Sequence, residues 1–272
     1  MIATRLATYY GAVFLVVGIM LPFWPLWMQA HGLTPEDIGI IMGVGMLMKV
    51  VANPITAGYA DYTGNRRGPL ILLSVFAALI FSGFSLTHSF WPILLVTMAF
   101  FLCWSPLMPL VETLTMHYNT AGILDYGRVR LWGSLAFIVA AWGGGWLLTG
   151  HGEDLIYWIL LSGTILVTFF ALLLPDGRRT FPNGKHSFSP FLRVITDRGF
   201  LWFIVATSLI QTSHIIYYAF GTIHWRKIGY SEAVIGWLWA EGVIAEIILF
   251  IWGRKIAARI GALWLITLAG LA

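Results

Sequence analysis

Glu112 and Arg130 combine the residue types and setting best suited to chemistry, since each is an ionisable group placed in or against a long apolar segment. Their segments are consecutive and joined by a short polar link, so the two charges can meet near one end of a central cavity. Pairing lowers the cost of burying either one. Arg130 shares a helical face with Ser134 and Phe137, at i+4 and i+7. That face offers a cation, a hydroxyl and an aromatic ring, which suits an aromatic carboxylate. A substrate competing for Arg130 would change the proton affinity of Glu112. Arg128 points to nearly the opposite side and is expected at lipid headgroups or at the loop of Asp61. Arg130 also admits a plainer reading, as one of the cations that anchor a membrane protein at its inner rim.

A second set lies further along. Gln211, His214 and Tyr218 fall at i, i+3 and i+7, a polar stripe on an otherwise apolar helix, with Tyr217 beside it. Such a stripe either lines a cavity or bonds to neighbouring helices. Lys49 and Glu246 each sit in the middle of an apolar run. A charge at the bilayer centre costs about 2.5–3.5 kcal/mol on insertion scales, so it persists where it is paired or faces water. The two are read either as cavity charges, one on each half of the chain, or as members of structural ion pairs.

The elements that carry these residues are membrane spans. Of 272 residues, 59% are hydrophobic and 10% are charged, far below the charge of about one residue in four that soluble domains carry. Apolar blocks of bilayer-crossing length occupy Leu6–Met28, Ile38–Ala60, Pro69–Leu86, Trp91–Met116, Leu131–Leu148, Leu155–Leu174, Phe200–Ile223 and Val234–Trp252, and a ninth begins at Ala262. The stretch up to Met28 exceeds the apolar core of a signal peptide and is read as the first span. The ninth run is too short to cross before Ala272, so a C-terminally incomplete chain is expected.

Thirteen of the sixteen Lys and Arg residues fall on one side of these spans, leaving Arg226 and Lys227 opposite and Lys49 within a span. The positive-inside rule makes the basic side cytoplasmic, with the N-terminus there. Basic residues spread over short loops give no footing to nucleic acid. No His-Glu-x-x-His, paired intramembrane aspartates or nucleotide-binding loop is present, so neither an enzyme nor a nucleotide-driven pump is expected. Cys103 is the sole cysteine, which excludes an intramolecular disulfide and a cysteine-based metal site. No cofactor is expected.

An offset of 197 positions superposes the chain on itself, pairing Gly32 with Gly229, Thr34 with Ser231, Ile38 with Ile235, Gly39 with Gly236, Gly45 with Gly242 and Gly64 with Gly261. The same offset sets Lys49 against Glu246. Both copies run in the same direction, as in transporters built from two parallel halves.

Two motifs carry a family resemblance. The loop Gly58-Tyr59-Ala60-Asp61-Tyr62-Thr63-Gly64-Asn65-Arg66-Arg67 resembles the cytoplasmic signature of the major facilitator superfamily. It departs by a glycine one position closer to Asp61 and by Tyr62 in place of a basic residue. The stretch Leu124-Asp125-Tyr126-Gly127-Arg128-Val129-Arg130-Leu131-Trp132-Gly133-Ser134 is similar to the fifth helix of lactose permease and of the 3-phenylpropionate transporter branch. The segments around His214 and Glu246 resemble that branch as well, with Glu241 as an addition.

The resemblance implies an all-α major facilitator fold. Residues 1–175 would form a six-helix bundle, 176–199 a cytoplasmic central loop and 200–272 the start of a second bundle. It implies a secondary transporter of a bacterial inner membrane, coupling protons to a small aromatic carboxylate by alternating access. Glu112 and Glu246 would handle the proton and Arg130 the carboxylate, with Asp61, Gly64, Arg66 and Arg67 as a conformational latch. A sugar or nucleoside permease, and an inactive piece of such a transporter, are the alternatives. The partners expected are a small-molecule substrate, protons and the lipid bilayer, with the protein a monomer.

Overall fold

Long apolar runs become helices because a chain in hydrocarbon must satisfy its backbone hydrogen bonds internally. The computed structural model of the chain describes residues 1–176 and 196–261, together with Trp264 and Thr267. Its helices are α1 (Ile2–Ala30), α2 (Pro35–Thr63), α3 (Arg67–Ser82), α4 (Phe90–Trp104), α5 (Leu107–Thr120), α6 (Tyr126–Leu148), α7 (Asp154–Leu172), α8 (Arg198–Lys227) and α9 (Glu232–Ile260), with a 3₁₀ turn at Gly83–Leu86 after α3. Among the described residues there is no strand. Among the described residues, seven helical segments, with α4 and α5 counted as one, are long and apolar enough to cross a membrane. The central loop and the ninth span expected from the sequence fall largely outside the described residues.

Two elements refine the expectation. The run Trp91–Met116, expected as a single span, lies in one segment of crossing length, Phe90–Thr120, which is broken inside into α4 and α5 at Ser105 and Pro106. Pro106 has no N–H to give and its ring crowds the carbonyl four residues back. At the break the Ser105 hydroxyl donates to Asn53 Oδ1 of α2 at 3.1 Å. The fifth span starts at Tyr126, earlier than Leu131, because Asp125 accepts from Arg128 N at 3.0 Å and caps the helix.

The duplicated turns adopt the same backbone. Gly32 and Gly229 have φ of 80° and 98°, and Gly64 and Gly261 have 65° and 85°, a left-handed region that only glycine enters freely. Thr34 accepts from Asp37 N at 3.2 Å and Ser231 from Val234 N at 3.5 Å, so each copy also caps its helix with a hydroxyl.

α1 lies at the centre of the core, burying Tyr9, Tyr10, Val13, Val16, Phe23, Trp24 and Trp27 among others. It packs chiefly on α6 and α7. Its approach to α6 is close at Gly18, where an added Cβ would stand 2.8 Å from the Phe137 carbonyl oxygen. This closeness suits a medium in which packing must replace the hydrophobic drive. Helices α3 and α7 are tied by bonds from Tyr157 to Ser82 O at 3.1 Å and from Thr168 to Ser74 O at 2.9 Å.

The first seven helices meet α8 and α9 at the end that carries the turns at Gly150 and Gly229. Gly145 of α6 faces Gly236 of α9 so closely that a Cβ on Gly145 would sit 3.2 Å from the Gly236 Cα. Ala233 N donates to Thr149 Oγ1 at 3.2 Å across the same seam. The opposite end carries Arg5, Arg66, Arg67 and Arg128.

Candidate functional site

A cavity of about 470 Å³ lies just inside that seam. Its wall takes Phe14 from α1, Arg130, Ser134 and Phe137 from α6, His214, Tyr217 and Tyr218 from α8, and Trp239, Val243 and Glu246 from α9. Seven residues singled out in the sequence therefore share one space: Arg130, Ser134, Phe137, His214, Tyr217, Tyr218 and Glu246. Helical geometry explains the order along each helix. On α6, Arg130, Ser134 and Phe137 face the cavity and the next turns, Ala141 and Gly145, form the seam. On α9 the order is reversed, with Glu246, Val243 and Trp239 at the cavity and Gly236 at the seam.

The cation is held by rings. The Arg130 guanidinium lies 4.2 Å from the centre of the Phe14 ring and 5.9 Å from that of Tyr10. Its Nη1 is buried without a hydrogen-bond partner. Stacking on an aromatic face stabilises a guanidinium by about 0.5–2 kcal/mol while leaving its in-plane donors free for an anion. Gly133 makes this arrangement possible: a Cβ there would stand 2.7 Å from Phe14 Cδ2 and 3.1 Å from Arg130 Nη1.

Opposite Arg130 stands an aromatic wall. Trp239 lies 4.9 Å from Tyr217 and 5.8 Å from Tyr218, centre to centre, and its indole N–H donates to Thr222 Oγ1 at 3.0 Å. His214 is 6.1 Å from Tyr218 and sits 2.9 Å from Ile210 O through Nδ1. Gln211 lies on the same helix, with its side chain outside the described residues.

Arg130, Ser134 and Glu246 also border a second cavity of about 620 Å³, which reaches Glu112, Tyr126 and Arg128 toward the basic end. Glu112 and Arg130 thus share a space, but no ion pair joins them. The guanidinium lies instead against Phe14, and Tyr126 stands within electrostatic range of both charges. Lys49 and Glu246 do not meet either. Lys49 lines a separate cavity of about 250 Å³ with Met42, Met46, Phe101 and Met108, its ammonium 5.5 Å from the Phe101 ring centre. Val17, Leu21 and Tyr218 are common to this cavity and the first.

At the latch loop, Arg66 is buried and binds Asp61 at 3.1 Å, Gly64 makes the left-handed reversal, and Arg67 donates to Leu172 O at 2.9 Å. All four residues are held within the first seven helices.

Sequence reasoning missed Phe14, Tyr10 and the wall function of Trp239. The spacing of Tyr10, Phe14, Val17 and Leu21 along one face of α1 was the available signal. It also missed a charge cluster that closes the seam, where Arg226 is bound to Glu153 and lies 3.2 Å from Glu232. Arg226 donating to Glu153 holds that carboxyl below its usual range. Among the described residues no group of three His, Cys, Asp or Glu is placed to hold a metal ion.

Comparison with known proteins gives a consistent picture. The model of the family described as "MFS_1 like family" matches residues 3–272. The chain is 32% identical over 268 residues to the "Probable 3-phenylpropionic acid transporter" of Escherichia coli (strain K12), covering 94% of this chain and 68% of that protein. It is 27% identical over 203 residues to the maltose permease of Geobacillus stearothermophilus, covering 74% of this chain and 51% of the permease. The chain therefore spans between about half and two thirds of the length of these relatives. Its fold is similar to the crystal structure of the nucleoside transporter NupG, with a TM-score of 0.76, 16% identity and coverage of 96% of this chain and 68% of that one. It is also similar to a bacterial homologue of the human lysosomal transporter Spinster in an inward-facing and unoccupied conformation, with a TM-score of 0.70, 15% identity and coverage of 95% and 62%.

Proposed function

The chain belongs to the MFS_1 like family of major facilitator transporters, and on that premise we propose that it takes a small aromatic carboxylate together with a proton through the cavity around Arg130. The observation that carries this reading is the half-buried Arg130 guanidinium, stacked on Phe14 with its buried Nη1 unused, at the edge of a space walled by Phe137, Tyr217, Tyr218 and Trp239. A volume of about 470 Å³ falls within the usual range for small-molecule sites, about 300–1,000 Å³. A carboxylate on Arg130 satisfies the free donor, and a phenyl ring three bonds away reaches the aromatic wall. An anion arriving at Arg130 shifts the balance of charge felt by Glu112 and Glu246, which face the same continuous space. On this reading both carboxylates take up the accompanying proton.

The two cavities run from the seam toward the basic end, so this conformation is closed on one side and approached from the other. With the basic residues in the cytoplasm, it is the inward-facing state. The proposed cycle opens the Gly145–Gly236 seam while the basic end closes, with the Asp61–Arg66 loop bracing the helices that move.

A neutral polar substrate, sugar or nucleoside, is the second reading, favoured by the Ser134 hydroxyl and His214 ring in the wall. Uptake of radiolabelled 3-phenylpropionate, of its uncharged amide and of maltose by expressing cells separates the two. Accumulation of the acid alone supports the proposal; accumulation of maltose or of the amide in its place overturns it.

A further inference from the structure

Helices α1 and α6 also enclose a groove of about 600 Å³ on the outside of the bundle. Of the residues lining it, only Arg128 borders the transport cavities as well. Its floor is low because Ala3, Ala7 and Gly11 follow one another on successive turns of α1, and Gly11 lies over Ala136 of α6, where an added Cβ would be 4.0 Å from the alanine methyl. Its outer wall is apolar and exposed: Trp132 at 59% and Val139 at 62%.

We propose that this groove binds one acyl chain of an anionic phospholipid, with the headgroup phosphate on Arg128. Length fits this occupant. From Ala3 to Leu15, and from Arg128 to Val139, the helices rise about 16–18 Å at about 1.5 Å per residue, close to the roughly 15 Å of one leaflet of hydrocarbon. Charge fits as well. Arg128 and Arg5 stand exposed at the basic end of α6 and α1, and neither is ion-paired among the described residues. Asp125, the nearest carboxylate along α6, is already engaged as the helix cap. The groove thus offers a cation at the headgroup level and an apolar trough below it, and a phospholipid carrying net negative charge matches both.

The test uses the protein in phosphatidylcholine vesicles doped with either phosphatidylglycerol or phosphatidylcholine carrying a photoactivatable group in one acyl chain, followed by mapping of the labelled peptides. The expected result is labelling of the α1 segment 3–15 and the α6 segment 132–139, about fivefold stronger with phosphatidylglycerol, from the usual attraction of one Arg for an anionic surface. Arg128→Gln is expected to abolish the preference and Arg128→Lys to retain it. Ala7→Phe, which fills the trough, is expected to remove the labelling with both lipids; Val139→Trp serves if that variant does not fold. Equal labelling by the two lipids, a preference that survives Arg128→Gln, or labelling that survives a filled trough would each overturn the proposal. Absence of label in the parent, as when another part of the chain fills the groove, would do the same.

Discussion

Arg130 reconciles two demands that ordinarily conflict, a cation held inside a membrane protein and a cation ready for an incoming anion. Rings of Phe14 and Tyr10 hold it without consuming all its hydrogen-bond donors. Arg130→Lys keeps the charge but loses the planar fork. A charge-assisted bond is worth about 1.5–3 kcal/mol, so binding of an aromatic carboxylate should weaken by about ten- to a hundredfold. Parent-like affinity in a titration of the variant would make Arg130 an anchor only. Gly133→Val tests the same arrangement without touching the cation. Its side chain displaces Phe14 and the guanidinium, so affinity should fall several-fold and overpacking should cost about 1–3 kcal/mol of stability. A thermal melt together with the titration reads both, and unaltered affinity would detach Phe14 from the site. The polar members of this site were legible in the sequence through their helical spacing. Phe14 was not, because which ring of α1 meets Arg130 depends on how α1 and α6 rotate against each other, and that is decided by packing at Gly18 and Gly133.

The seam between α6 and α9 is the element on which closure depends. Any side chain at position 236 strikes the α6 backbone near Ala141, so Gly236→Leu should hold this end apart. Spin labels on His151→Cys and Tyr230→Cys, in the two loops beside the seam, should then report a longer distance than in the parent; an unchanged distance would show that the glycines do not set closure. The Arg226–Glu153 pair adds a pH dependence of known sign. Because Glu153 is held below its ordinary value of 4.5, the stability it lends is complete above that value and is lost as the pH falls through the lower one. The same label pair should therefore separate on acidification through that window, and Glu153→Gln should remove the response. The duplicated turns of these elements were visible from the glycine spacing alone, since a left-handed turn leaves few residue choices. The break at Pro106 was not, because proline within an apolar run is equally consistent with a kinked continuous helix. The charge cluster escaped notice because Glu153 is distant in sequence from Arg226 and Glu232, and all three are ordinary in type.

At the scale of the chain, this is a multi-pass helical protein in which two cavities share Arg130, Ser134 and Glu246 between the seam and the basic end. Apolar run length and composition made this architecture legible, since the bilayer fixes both. Cavity depth and the separation of Lys49 from Glu246 were not, because they arise from the pairing of helices rather than from any one helix. If the basic end is cytoplasmic, tags placed near Gly152 should react with a membrane-impermeant reagent in intact cells and tags within 177–195 should not; the opposite pattern would invert the proposed direction of access. The central claim, a carboxylate on Arg130 taken with a proton, is tested most directly by calorimetric titration of 3-phenylpropionate into the protein at neutral pH in two buffers of different ionisation enthalpy. Binding heats that differ between the buffers by about one proton taken up per ligand, and that vanish in Arg130→Gln, are the predicted result. Binding that is undiminished in Arg130→Gln, or heats that are the same in both buffers, would contradict the account.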